Sequence, residues 1–200
     1  MSTTPLPSKF GLILFPGFQL LDVAGPLDAF NILGYTHNIS LSILAATLDP
    51  VSTHNTLHAQ QGSQISQSLV PTHTFDSAPD DLDVLLIPGG MGSRGEGSEE
   101  RMGPLIDYLK KLDLSGQGKL KWVLTVKVLH PNVNWVAKAR WVVDGNIWTS
   151  SGISAGTDLA YAWIAEVFGE DMAQTIADRS EYERNRDPGN DRYAEVWKAV

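Results

Sequence analysis

The 200 residues carry 15 Lys and Arg against 23 Asp and Glu, a formal net charge of −8. That sign repels phosphate backbones and anionic bilayers, so neither nucleic acid nor a membrane surface is an expected partner. Apolar residues make up 42% and charged residues 19%, an ordinary globular balance, and there is no cysteine, which excludes disulfides, thiolate metal sites and thiol catalysis.

The length suits one domain spanning 1–200, with a core over about 10–183 and a charged tail over 184–200. Residues 1–9 lack the basic-then-apolar order of a signal peptide. No stretch approaches the roughly 18 unbroken apolar residues of a membrane span. A cytoplasmic protein is expected.

Phe10 to Pro16 is a continuous apolar run, the mark of a strand buried on both faces. Helical spacing follows through Leu21, Ala24, Leu27, Ala29, Phe30 and Leu33, with Gly34 as C-cap and Pro26 fitting only in a first turn. Ile39 to Ala46 reads as a second strand. Residues 51–79 are polar and weakly alternating, a hairpin or long loop beside the sheet. Val84 to Ile87 is another buried strand, ending in Pro88-Gly89-Gly90. Ser98 can cap a helix through Met102, Leu105, Ile106 and Leu109. Trp122 to Val126 is a strand. Val133 to Val143 and Asn146 to Thr149 flank Asp144-Gly145, a hairpin turn signal. Two helices follow, one through Leu159, Trp163, Val167 and Phe168 closed by Gly169, the other over about Asp171 to Tyr182. Strands alternating with helices imply an α/β domain: a mainly parallel sheet with helices on both faces, plus a β-hairpin.

Three sequence patterns suggest chemistry and then fail a physical test. Gly90-Met-Gly92-Ser-Arg-Gly95 has the letters of a dinucleotide fingerprint, but Glu96 and Gly97 intervene before the helix, which opens with two glutamates. A flexible glycine loop is the better reading. Gly152-Ile-Ser154-Ala-Gly156 has the letters of a serine-hydrolase elbow, but the last histidine, His130, precedes the serine instead of following it. Ser154 reads as a helix N-cap, with a fluorophosphonate-reactive esterase as the alternative. His54 and His58 have the spacing of a helical metal site, yet sit in a polar, turn-rich stretch with no third ligand, and His37, His73 and His130 are isolated. No metal and no cofactor are expected.

Asp22 stands just past the first strand on an apolar face, where open α/β sheets bind ligands. A partly desolvated carboxylate there can act as general acid or base; a helix N-cap is the equal alternative.

Four motifs in order, Phe15 to Pro26 (FPGFQLLDVAGP), Leu86 to Gly90 (LIPGG), Leu124-Thr125-Val126, and Trp148 to Asp158 (WTSSGISAGTD), resemble the ThiJ/PfpI superfamily, in particular its isonitrile-hydratase-like branch. The resemblance covers about 10–187. It implies a flavodoxin-like fold, a homodimer, and hydration of an isonitrile to an N-substituted formamide, chemistry that belongs to microbial secondary metabolism. In that family a cysteine on a strand-to-helix elbow attacks the isonitrile carbon. A carboxylate like Asp22 handles protons, and a backbone like Gly89-Gly90 lines an anion-stabilising pocket.

The chain departs from the family where the cysteine belongs. Lys127 stands there, and only residues 127–130 separate Val126 from Pro131, where the resemblance resumes. A parallel crossover takes a dozen or more residues, so the elbow unit is missing altogether. The excision is clean at both flanks, as a skipped or misassigned exon would leave it. Lys127 could serve as a base or Schiff-base amine, but a lysine beside a deletion is more often simply exposed. The expected protein is a family member impaired in its thiol chemistry, with a thiol-independent hydratase or isomerase using Asp22, or a non-catalytic binding or dimerisation partner, as alternatives. Apolar faces left by the lost helix and strand are expected to lower stability or alter the dimer.

Overall fold

The apolar run from Phe10 forms the strand β1 (Lys9–Ile13), in which Phe10 to Ile13 are buried on both faces, as the centre of a parallel sheet requires. The computed structural model describes residues 5–126 and 134–196. β1 is followed by helix α1 (Leu20–Leu33), β2 (Ser40–Ala45), β3 (Val51–Ser52), the short helix α2 (Thr56–Gln60), β4 (Ser68–Leu69) and β5 (His73–Thr74). Then come β6 (Val84–Ile87), α3 (Ser98–Leu109), β7 (Trp122–Val126), β8 (Trp141–Asp144), β9 (Ile147–Ser150), α4 (Ile153–Phe168), α5 (Glu170–Arg179) and α6 (Tyr193–Val196).

Seven strands form one sheet in the order β5-β2-β1-β6-β7-β9-β8, all parallel except β8, and β3 pairs with β4 in a separate antiparallel ribbon. Helices α1, α4 and α5 pack together on one face. Trp163 of α4, fully buried, is their hub: its ring meets Phe10, Phe30, Trp122 and Phe168 edge-on at centroid distances of 5.8 Å. Gly25 lets α1 and α4 touch, since a Cβ there would lie 2.1 Å from Thr157 Oγ1. On the other face α3 buries Leu105 and Tyr108, the latter beside Leu82 and Leu85. This is the mainly parallel α/β sheet that the alternation of strands and helices implies, in the flavodoxin-like form that the resemblance implies. Among the described residues no helix is long and apolar enough to cross a membrane.

Several boundaries differ from the sequence reading. Pro26 is the seventh residue of α1, not in its first turn; the helix continues because Pro26 and its neighbours are packed into the core, which outweighs the local cost of a proline. Gly97, at φ 73°, is the N-cap of α3, so Ser98 is its first helical residue and caps nothing. The strand expected from 133 begins only at Trp141, and Val133 lies outside the described residues. The hairpin turn is Gly145-Asn146, with Gly145 at φ 60°, while Asp144 still pairs with Ile147; a glycine first in a two-residue loop matches the twist of the flanking strands. Residues 51–79 supply the β3–β4 ribbon and a β5 that joins the main sheet beside β2.

Candidate functional site

The winding reverses between the parallel neighbours β1 and β6: from β1 the chain winds outward to β2, and from β6 it winds the other way to β7. A crevice opens at the carboxyl ends of strands at such a switch point. Here the two loops that leave β1 and β6 are laced together. Gln19 N–H donates to the Gly89 carbonyl at 2.8 Å, and Gly92 N–H to the Gly17 carbonyl at 3.0 Å. Only glycines fit this seam. Gly90 has φ 151° and a Cβ on it would lie 2.4 Å from Gly17 O, while a Cβ on Gly92 would lie 1.8 Å from Pro16 O.

Asp22 is the third residue of α1, whose N-cap is Gln19. Its side chain caps nothing. It reaches across the seam, where Oδ2 accepts the Gly89 N–H at 2.9 Å. The residue is 3% exposed, and Oδ1 is buried without a partner among the described residues. Burial pushes the carboxyl from 3.8 up to about 6, against the opposing pull of the Gly89 hydrogen bond and the Arg94 charge. A carboxyl that changes protonation near neutral pH is suited to moving a proton in either direction. Gly89 N–H is committed to Asp22, and Gly90 N–H donates to none of the described residues. Val126, the last residue of β7, closes the crevice: a Cβ on Gly89 would lie 3.1 Å from its Cγ1. Lys127 and His130 lie outside the described residues.

Sequence reasoning missed the arginines around this crevice. Arg101 of α3 holds the glycine loop by donating to three carbonyls, Gly92 at 2.9 Å and Glu96 and Arg94 each at 3.1 Å. The loop therefore folds back on α3 and does not run straight into its N-terminus as a dinucleotide site requires. Arg140, 6% exposed, leads into β8 and binds Asp158, 2% exposed, with Nε and Nη2 both 2.6 Å from Oδ2. The other Asp158 oxygen accepts from Tyr182 Oη at 3.0 Å and Asn185 N–H at 2.9 Å. Arg140 Nη2 also donates to Ser154 Oγ at 3.1 Å. Ser154 is thus the second residue of α4 and a partner of arginine, not the N-cap, which is Gly152. Its hydroxyl faces a guanidinium, a setting without the base a serine nucleophile needs. Asp158 was visible as the end of a motif, but nothing local showed that it would be buried with Arg140.

His54 and His58 lie 5.4 Å apart between ring centroids. His58 falls in α2, whose N-cap Asn55 forms a capping box with it, so the stretch does contain a short helix despite its polar composition. His54 Nε2 lies 3.1 Å from Ser63 O, and His37 packs edge-on against Phe168. Among the described residues no three His, Asp or Glu side chains converge as a metal site would need.

A doubly wound domain with a near-neutral carboxyl locked to a glycine pair at its switch point is the class that fold and site define. No protein-family model matches the chain. It is 28% identical to the isonitrile hydratase of Pseudomonas putida, over 87% of this chain and 78% of that protein. A ThiJ/PfpI family protein from Pseudomonas syringae superposes with a TM-score of 0.60 at 21% identity, covering 90% of this chain and 76% of the other. DJ-1beta of Drosophila melanogaster superposes with a TM-score of 0.66 at 19% identity, covering 89% of this chain and 100% of that one. The chain is thus similar in sequence to an isonitrile hydratase and has the fold of ThiJ/PfpI and DJ-1 proteins.

Proposed function

We propose that this chain is an isonitrile-hydratase-like protein that keeps an acid/base carboxyl and a small-molecule crevice but has lost the thiol-dependent step. The observation that supports this most is Asp22, buried, titrating near 6 and held by Gly89 N–H at the switch point. Hydrating an isonitrile adds the elements of water: the terminal carbon gains an oxygen and a hydrogen, and the nitrogen gains a hydrogen. Asp22 is placed to relay such a proton. The sulfur that would attack the carbon does not exist in this sequence. A general acid/base alone contributes roughly 10²–10⁴-fold, without the covalent intermediate that divides a hard step into two easier ones. A cytoplasmic location and a small-molecule ligand belong to the same proposal.

The test is to incubate the purified protein with cyclohexyl isocyanide and follow N-cyclohexylformamide by proton NMR. No formamide above the uncatalysed rate is expected. Turnover that Asp22→Asn abolishes would replace this reading with a thiol-independent hydratase. Turnover indifferent to Asp22→Asn would remove Asp22 from the chemistry.

A further inference from the structure

Beside the Asp22 crevice lies a second, larger space. A cleft of about 660 Å³ runs from Leu21 and Arg94 to the first turn of α4 and the C-terminal segment, and its lining includes Ile153, Tyr193 and Val196. That volume is within the ~300–1,000 Å³ range of small-molecule sites. Leu21 (46% exposed), Ile153 (45%), Tyr193 (41%) and Val196 (65%) all present apolar surface around it. Four such side chains gathered at one cleft are not the scattered exposure normal for a soluble surface.

The charges facing the cleft can be accounted for one by one. Arg140 is neutralised by Asp158, and Asp191 lies 3.7 Å from its Nη1. Asp191 is further occupied by Ser151 Oγ, which donates to it at 2.7 Å, and by Tyr193 N–H at 3.2 Å. Ser154 Oγ is taken by Arg140. Arg94 differs. Arg101 grips its backbone carbonyl, which fixes the residue at the rim; its guanidinium forms no hydrogen bond or ion pair with the described residues, and acts on Asp22 only through its charge, which pulls that carboxyl down. Opposite stands the N-terminus of the long helix α4, which has no side-chain cap. Unpaired N–H groups and the helix dipole there add positive potential to that of the arginine.

We infer that this cleft binds a small organic anion with an apolar body, its carboxylate at Arg94 and the first turn of α4 and its hydrocarbon against Ile153, Tyr193 and Val196. Asp22 makes no contact in this proposal, although the Arg94 charge pulls its carboxyl down. The intact protein is titrated with phenylacetate and with its neutral analogue phenylacetamide, reading backbone amide shifts by NMR and affinity by calorimetry. Phenylacetate is expected to bind more tightly than the amide and to shift the amides of Ile153, Ser154 and Ala155. Arg94→Gln, a change at an exposed side chain, should weaken phenylacetate about tenfold, as loss of one charged contact does, and leave phenylacetamide unaffected. Asp22→Asn should not weaken phenylacetate, which distinguishes failure of the cleft from failure of the proposed chemistry. Equal affinity for acid and amide, shifts confined to other regions, or no binding because a second copy of the chain fills the cleft would each overturn the inference.

Discussion

At the scale of single residues, Asp22 sets the pH behaviour of the crevice. Its carboxyl titrates near 6 in the fold against an ordinary 3.8, so the folded state holds its proton more tightly than the unfolded chain. Stability from this group is therefore fully present below about pH 3.8 and lost as pH rises through about 6. A shift of that size corresponds to at most about 3 kcal/mol. Asn cannot ionise, so Asp22→Asn removes the loss. The stability of wild type relative to Asp22→Asn, measured by urea denaturation, should fall between pH 4 and pH 8. A constant difference across that window would show that Asp22 ionises at no cost. The residue was legible in the sequence as a carboxylate beside a strand end. Its partner was not, because Gly89 is distant in the chain and the bond depends on how two loops interlock.

At the scale of elements, Arg140 ties three pieces of chain together. It binds Asp158 on α4, accepts Ser151 N–H through its carbonyl at 2.8 Å, and donates its own N–H to Pro188 O at 2.6 Å. The segment over 185–191 is thereby sewn to the sheet edge rather than left as a loose tail. Removing one member of a buried pair strands the other, and this costs about 3–5 kcal/mol. Arg140→Ala should lower unfolding stability by that order and speed amide exchange at Asn185, which donates to Asp158. The double change Arg140→Met with Asp158→Leu should recover much of the loss, because it leaves no uncompensated charge. If the double variant were no more stable than Arg140→Ala, the ion pair would not be the reason for the loss. Burial also explains Tyr182: desolvation and the Asp158 carboxylate push its phenol above the ordinary range.

At the scale of the whole molecule, β7 is followed in chain order by β8, with β9 between them in the sheet. Val126 and Trp141 both lie level with Ser150 in the pairing register, Val126 on the parallel side and Trp141 on the antiparallel side. The chain therefore leaves β7 and enters β8 at the same end of the sheet, two strand spacings or about 10 Å apart, and needs no helix to carry it back. β9 then returns by the hairpin to lie parallel to β7. Leu21, Ile153 and Val196 stand partly to largely exposed around one cleft. We expect a melting temperature below about 60 °C, or self-association that hides this surface. Calorimetry together with sedimentation would check both, and a well-behaved monomer melting cooperatively above that temperature would contradict the expectation. If a cysteine-bearing relative co-purified with the chain, this face would be the place to look for its contact.

The sequence alone determined the layered α/β architecture, because buried parallel strands and amphipathic helices write different periods into local residue order. It also determined that no thiol chemistry is available, which is a matter of composition. The FPGFQLLDVAGP and LIPGG motifs marked the two halves of the crevice. Tertiary structure decided the rest. Whether Asp22 caps its helix or reaches Gly89 depends on the approach of a loop from another strand. Arg140 and Asp158 are ordinary polar letters until folding buries them against each other. Arg94 acquires its place only because Arg101 folds the glycine loop back onto α3. Burial and long-range pairing set the charge state and reach of these groups, and neither quantity is a property of neighbouring residues in the chain.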